Sequence, residues 1–195
     1  MSNASLGGIF LDSLLINNFV LSVFLGICPF IGVSAKFATA WRMGLSVIFV
    51  SLVSSILAYA SNALLIFFNA EYLRIITFIV IIASTVQLVE MFIKKSSPVL
   101  FRALGIYLPL ITTNCAILGV ALFQTAREYS FAQSVVFALG AGAGFALAIT
   151  LMSVIRERLE LSDIPDVAKG TALVMVLAGI LSMAFMGFAG MGTGG

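Results

Sequence analysis

The chain contains six long apolar runs separated by short charged stretches, and this pattern restricts the possible folds more than any other feature. A helix needs roughly 20 apolar residues to cross the hydrocarbon core of a membrane. The runs cover about 13–35, 43–63, 72–93, 103–124, 131–154 and 170–190, close to that length. Because backbone polar groups in lipid must be paired within their own segment, we predict six transmembrane helices and an all-α integral membrane fold.

The composition agrees with a membrane location. The chain is 62% hydrophobic and 9% charged, whereas soluble domains carry roughly 25% charged residues. It has no histidine, which is the commonest metal ligand and the usual acid–base catalyst. Histidine-based hydrolases and zinc enzymes therefore fit poorly, and a net charge of +2 gives no support to nucleic-acid binding.

Basic residues are distributed unequally between the two sides of the predicted membrane. Only Arg74 and Arg127 follow the even-numbered runs. The other eight follow the first, third and fifth runs: Lys36, Arg42, Lys94, Lys95, Arg102, Arg156, Arg158 and Lys169. Cytoplasmic loops are enriched in Lys and Arg, so we expect both termini on the outer, periplasmic side. The first run lacks the preceding basic residues of a signal peptide and is expected to be retained as a span.

Two cysteines lie 87 residues apart and reveal an internal repeat. Cys28 and Cys115 each begin a Cys-x-x-x-Gly-Val sequence, and the same offset superimposes the first run on the fourth and the second on the fifth. We predict a single membrane domain, 1–195, built from two three-helix halves at about 10–95 and 98–191. An odd number of helices per half inverts the second half relative to the first.

Helices 1 and 4 are the ones expected to be interrupted. Glycine, proline and short polar residues weaken them: Gly26, Pro29 and Gly32 in the first, and Pro109, Thr112, Thr113, Asn114 and Gly119 in the fourth. Sites of inverted-repeat membrane proteins lie near the midplane, where interrupted helices meet. We therefore predict that Cys28 and Cys115 face each other there.

The residues alone leave three interpretations of the cysteine pair open. The thiols could be small buried hydrophobic groups, they could form a disulfide, or they could ligate iron. A [2Fe–2S] cluster needs four cysteines, so a partner would have to supply two more. Amide groups at the ends of broken helices would stabilise the negative cluster. Candidate supporting residues are Gly26, Pro29, Thr113 and Asn114.

Two stretches resemble a known family. LLINNFVLSVFLGICPFIGVSAK, from Leu14, and LGIYLPLITTNCAILGVAL, from Leu104, are similar to the A subunit of the Rnf complex, an ion-translocating ferredoxin:NAD oxidoreductase of bacterial membranes. They also resemble its paralogue, the E subunit of the sodium-pumping NADH:quinone reductase. The likeness extends over about 10–191, and Cys-Pro-Phe and Thr-Thr-Asn-Cys favour the Rnf form.

The resemblance implies a subunit of the bacterial inner membrane that pairs with a paralogous Rnf E-type subunit. The two would share a [2Fe–2S] cluster, with Cys28 and Cys115 matching the family's ligands. Electrons would cross the membrane with coupled movement of Na⁺ or H⁺, and flavins would belong to other subunits. The chain would not catalyse a reaction alone. An ion or small-molecule transporter with structural cysteines is the alternative, and it requires no iron; a scaffold is a third.

Two polar features have plainer explanations. Asn17 and Asn18 in the first run are expected to form interhelical hydrogen bonds. Gly140, Gly142 and Gly144 resemble part of a phosphate-binding loop but lie within a span. Close helix packing through small residues is the interpretation we favour for them.

Overall fold

The computed structural model describes residues 5–67, 71–96, 111, 113–160 and 170–189, and within these ranges all regular secondary structure is helical. The elements, in chain order, are α1 (Leu6–Leu11) with a π-helical turn (Asp12–Ile16), α2 (Ile27–Val33), α3 (Phe37–Phe67), a 3₁₀ turn (Glu71–Leu73), α4 (Arg74–Ser96), α5 (Cys115–Ala126), α6 (Phe131–Glu160) and α7 (Thr171–Ala189). The predicted all-helical fold is confirmed for this part of the chain.

Among the described residues, three helices are long and apolar enough to cross a membrane: α3, Phe131–Leu159 of α6 and Thr171–Phe188 of α7. Leu6–Ile16, Arg74–Leu88 and Cys115–Ala126 are shorter apolar helices. The membrane class is thereby supported. The count of six spans and the inverted repeat stay predictions, because the first half of the predicted fourth span lies outside the described residues.

The first predicted span is not a continuous helix. Helical structure ends at Ile16 and resumes at Ile27, as the prediction of an interruption requires. Asn18 organises the irregular segment: its Oδ1 accepts hydrogen bonds from the backbone N–H groups of Val20 (3.0 Å) and Leu21 (3.3 Å). The hydroxyl of Ser182 on α7 donates to the Leu21 carbonyl at 2.6 Å. Side chains therefore replace helical partners, which is the condition for irregular backbone at membrane depth.

Asn18 and two glycines of α6 hold the N-terminal part of the chain against α6. Asn18 Nδ2 donates to the Gly144 carbonyl at 2.9 Å, which confirms the interhelical hydrogen bond expected of it. A Cβ at Gly144 would lie 2.8 Å from the Leu14 carbonyl oxygen, and one at Gly140 would overlap Ser13. Glycine lets the backbones approach closely here, so the packing interpretation of these glycines is confirmed.

Arg156, near the end of α6, holds the end of α2. Its Nη1 donates to the Ile31 carbonyl at 3.1 Å and to the Ser34 hydroxyl at 2.8 Å. The last carbonyls of a helix lack intrahelical donors, and a cation is favourable at that end. The short helix α2 is thus anchored at its C-terminus by a side chain far away in the sequence.

The core lies mainly between α3 and α6, which form the most extensive helix pair. A Cβ at Gly44 of α3 would lie only 2.7 Å from the Ala146 Cβ and 3.0 Å from its Cα. Large side chains that are fully buried in the core include Phe30, Met43, Phe78, Phe137, Phe145, Ile149 and Met152. Small residues at the contact and large ones around it fix the separation of the two helices.

Gly44→Leu is expected to destabilise the protein by at least about 1–3 kcal/mol, because the added atoms meet the Ala146 backbone, which cannot rotate away. The measurement is the thermal unfolding of the purified chain in detergent. Gly179→Leu on α7 is the matched control, since nothing lies within 4 Å of a Cβ at that position. Equal unfolding temperatures for the two variants would contradict the close packing of α3 on α6.

Candidate functional site

The site is the place where the broken first segment meets the start of α5. Gly26 directly precedes α2, and its backbone N–H donates to the Cys115 Sγ at 2.9 Å. Its φ angle is +84°, a conformation that glycine adopts without steric cost. A Cβ there would lie 2.9 Å from the Phe145 ring and 3.2 Å from Asn114 Oδ1. The absence of a side chain at Gly26 therefore allows the contact.

The two cysteines occupy the first turns of two helices. Cys115 is the first residue of α5 and Cys28 the second residue of α2. Both are free thiols; Cys28 is exposed and Cys115 is half-buried. The first amides of α5 lack intrahelical carbonyl partners, and this end of the helix carries partial positive charge. This end of α5 would therefore favour an anionic group bound beside it.

Asn114 connects the capping of α5 with an unpaired donor. Its Oδ1 accepts from the Ala116 N–H at 3.0 Å and so caps the helix. The residue is 3% exposed, yet its Nδ2 has no hydrogen-bond partner within the described part of the chain. An unpaired buried donor costs about 1–3 kcal/mol, which an acceptor supplied from outside these residues would offset. A sulfur-rich anionic group beside Cys115 fits that requirement.

The structure brings together only some of the residues singled out in the sequence. Gly26, Asn114 and Cys115 are in direct contact. Pro29 is buried in α2, and Thr113 is exposed beside Asn114. The facing of Cys28 and Cys115 stays a prediction. Within the described ranges, no three His, Cys, Asp or Glu side chains gather into a metal-binding group, so a metal held by the two thiols would need further ligands.

Phe145 is a site residue that sequence reasoning missed. Its side chain is 1% exposed and its ring lies against Gly26. Its neighbour Gly144 accepts the hydrogen bond from Asn18, so α6 packs on both ends of the irregular segment. The glycines around Phe145 predicted close packing of α6, but nothing in the sequence indicated which other segment packs against it.

The described chain has apolar helices of spanning length, which define a polytopic membrane protein. One segment is interrupted, and the break lies next to the starts of the two helices that carry the cysteines. The chain belongs to the Rnf-Nqr subunit family of membrane proteins, whose family model matches residues 6–192. The resemblance recognised in the sequence is thereby confirmed.

Relatives of known assignment match nearly the whole chain. The A subunit of the ion-translocating oxidoreductase complex of Syntrophotalea carbinolica is 50% identical over 184 residues, which cover 94% of this chain and 95% of that protein. The A subunit of the Na⁺-translocating ferredoxin:NAD⁺ oxidoreductase complex of Acetobacterium woodii is 51% identical over 187 residues, covering 95% and 97%. The A subunit of the ion-translocating oxidoreductase complex of Alkalilimnicola ehrlichii is 52% identical over 184 residues, which cover 94% of this chain and 95% of that protein.

Proposed function

We propose that this chain is the A-type membrane subunit of an ion-translocating ferredoxin:NAD oxidoreductase complex, and that it carries electrons across the membrane through a [2Fe–2S] centre shared with a paralogous subunit. The names of the relatives support the complex. The observation that carries the site is the contact between the Gly26 N–H and the Cys115 Sγ, beside the unpaired Nδ2 of Asn114. Gly26 thus supplies a donor to a sulfur, and Asn114 supplies a second donor that is unpaired within the described residues.

The residues present fit such a centre as half of its ligand set. Cys28 and Cys115 would supply two thiolates, and the partner subunit would supply the other two that the cluster needs. The exposure of Cys28 suits a site at a subunit interface. When bound, the cluster supplies a one-electron carrier. Near the midplane it would divide a hydrocarbon core of roughly 30 Å into two shorter transfers.

Hydrogen bonds to the sulfurs are the means by which this chain would tune the centre. The Gly26 N–H, which reaches Cys115 Sγ, would stabilise negative charge on that sulfur, and the Asn114 Nδ2 would do the same for an acceptor bound beside it. Reduction of the centre adds negative charge. In surroundings of low dielectric that added charge attracts a cation. Coupling of electron transfer to movement of Na⁺ or H⁺ follows from this attraction in our proposal.

The proposed topology is the six-span inverted repeat of the bacterial inner membrane, with both termini on the periplasmic side. Arg127 and Arg156 flank α6 near its opposite ends, separated by roughly 40 Å of helix at 1.5 Å per residue. Arg127 would lie on the periplasmic side, where its Nη1 meets Asp12 Oδ2 at 3.3 Å and the Tyr129 hydroxyl at 3.0 Å. Burial lowers the pKa of Arg127, but these two partners outweigh it and leave the pKa raised.

The proposed function is tested with the Cys28→Ser variant of this chain, assembled in the whole complex and placed in vesicles. The Cys28 side chain is exposed, so serine at this position is expected to leave the fold intact. We expect the complex to copurify intact while electron transfer from reduced ferredoxin to NAD⁺, and the ion uptake that it drives, fall at least about tenfold. Unchanged electron transfer would contradict the role in carrying electrons and would favour an ion transporter with structural cysteines.

Asn114 offers a second test, with the reduction potential as the readout. Asn114→Asp keeps an oxygen to cap α5 but replaces the donor with a negative charge. The potential of the centre is expected to fall by about 60 mV or more, the equivalent of a tenfold change for a one-electron couple. Asn114→Ser keeps the cap without adding charge and should shift the potential less. Identical potentials in an EPR-monitored titration of all three proteins would exclude Asn114 from the site.

A further inference from the structure

A polar cavity lies at the end of the bundle that carries Arg127. Its volume is about 440 Å³, and it lies between the end of α3, the start of α4 and the end of α5. Polar residues in its lining include Asn62, Arg74, Gln124, Thr125 and Glu128. Asn62 Oδ1 is buried and has no partner among the described residues. Since water occupies about 30 Å³ per molecule in the liquid, a polar cavity of this size holds several.

A line of buried polar groups continues from the cavity into the bundle. Gln124 and Ser55 are 2% and 1% exposed. The Ser55 hydroxyl donates to Gln124 Oε1 at 2.5 Å, and Gln124 Nε2 donates to the Ser55 carbonyl at 3.0 Å. Beside them, the hydroxyls of Ser54 on α3 and Ser134 on α6 are buried without partners in the described part of the chain. Orphaned polar atoms at this density call for a ligand or water.

The same line leads toward the cysteine site. Asn62, Ser55 and Ser51 are spaced by seven and four residues on α3, which places them on one face of the helix. At 1.5 Å per residue they span roughly 16 Å, about half of the hydrocarbon thickness. Ser51 lines a small void together with Ala116, which adjoins Cys115. We call Ser51, Ser54, Ser55, Gln124 and Ser134 the polar seam.

The chemistry of the seam suits an alkali cation better than an anion or a proton carrier. Its side chains are neutral hydroxyls and an amide, which offer the oxygen ligands that hard cations take, and none of the five titrates near neutral pH. Two C-terminal helix ends, those of α3 and α5, lie at the cavity against one N-terminal end, that of α4, so the balance of partial charge favours cations. Glu128 and Arg74 line it with opposite charges, so a cation would be held weakly enough to pass.

We propose that the cavity and the polar seam form one half of the path of the coupled alkali cation, between the Arg127 side of the membrane and the cysteine site. This inference rests on the proposed function, and it assigns the residues along which the cation moves. The path would be hydrated from the cavity to Gln124 and lined by serine hydroxyls beyond it.

Accessibility of a cysteine at Asn62 tests the hydrated mouth. In the whole complex in vesicles, Asn62→Cys is expected to react with a membrane-impermeant thiol reagent added on the Arg127 side, because only a hydrated thiol forms the reactive thiolate. Phe49→Cys, on the same helix and 56% exposed inside the apolar run of α3, is the matched control and should not react. The unsubstituted complex gives the background from Cys28 and Cys115. Failure of Asn62→Cys to react above background would overturn the proposal.

Transport through the seam is tested with Ser54→Ala combined with Ser134→Ala, which removes two unpartnered hydroxyls and leaves the packing intact. We expect Na⁺ uptake driven by electron transfer to fall about tenfold, while the EPR signal of the reduced centre is unchanged. Ser61→Ala, whose hydroxyl bonds to the Leu57 carbonyl of its own helix, should leave uptake unchanged. Unaltered Na⁺ uptake with an intact EPR signal would refute the path alone. If the unsubstituted complex gave no EPR signal of a reduced centre, the proposed function itself would be refuted.

Discussion

Cys115→Ser is expected to remove about two irons per complex, together with the low-temperature EPR signal that a reduced [2Fe–2S] centre gives. Serine has nearly the volume of cysteine, and its hydroxyl can accept the hydrogen bond that the Gly26 N–H now donates to Cys115 Sγ. The start of α5 should therefore keep its geometry while the soft thiolate that selects iron–sulfur clusters is lost. Iron analysis and EPR of the purified complex measure the two losses together.

Comparison with Cys28→Ser separates ligation from a local structural effect. Cys28 and Cys115 occupy different helices and differ in burial, so a purely structural effect of serine would not be the same in the two variants. If both ligate one centre, each single variant removes the same iron and the same signal, and the double variant is no worse than either. Unchanged iron and EPR signal in Cys115→Ser would show that the ligand assignment is wrong. A transporter with structural cysteines would then be the better interpretation.

The sequence was informative wherever a property depended on near neighbours. The length of the apolar runs predicted helices in a membrane. Gly26, Pro29 and Gly32 predicted an interruption of the first run; the structure places it at 17–26, with Gly26 at its end, whereas Pro29 and Gly32 lie within α2. Asn18 was expected to form a hydrogen bond between segments, and it does. Each of these follows from local backbone chemistry or from the cost of an unpaired polar group in lipid.

Helix ends and distant contacts were beyond the sequence pattern. The second run was predicted over about 43–63, whereas α3 covers Phe37–Phe67. Hydropathy reports the depth of lipid, and α3 continues past it at both ends, reaching Ile66 in the lining of the cavity. The contact of Phe145 with Gly26 joins segments more than a hundred residues apart. Such contacts depend on how helices pack, which periodicity alone does not determine.

Gly26→Ala is expected to lower the free energy of unfolding by about 2–5 kcal/mol and to weaken the cysteine site. About 1–2 kcal/mol would come from holding an alanine at φ +84°. A further 1–3 kcal/mol or so would come from the new Cβ, 2.9 Å from the Phe145 ring and 3.2 Å from Asn114 Oδ1. Relief of this overlap moves the Gly26 N–H away from Cys115 Sγ, so the reduction potential of the centre should also fall.

Gly170→Ala is the matched control for that variant, because Gly170 has the same φ of +84° but nothing within 4 Å of its Cβ position. It should carry only the backbone cost of about 1–2 kcal/mol and leave the EPR spectrum and potential unchanged. Thermal unfolding in detergent and a redox titration of both variants make the comparison. Equal destabilisation would mean that Phe145 and Asn114 yield to the new Cβ. An unchanged potential in Gly26→Ala would mean that its N–H does not tune the sulfur, leaving Asn114 as the donor that does.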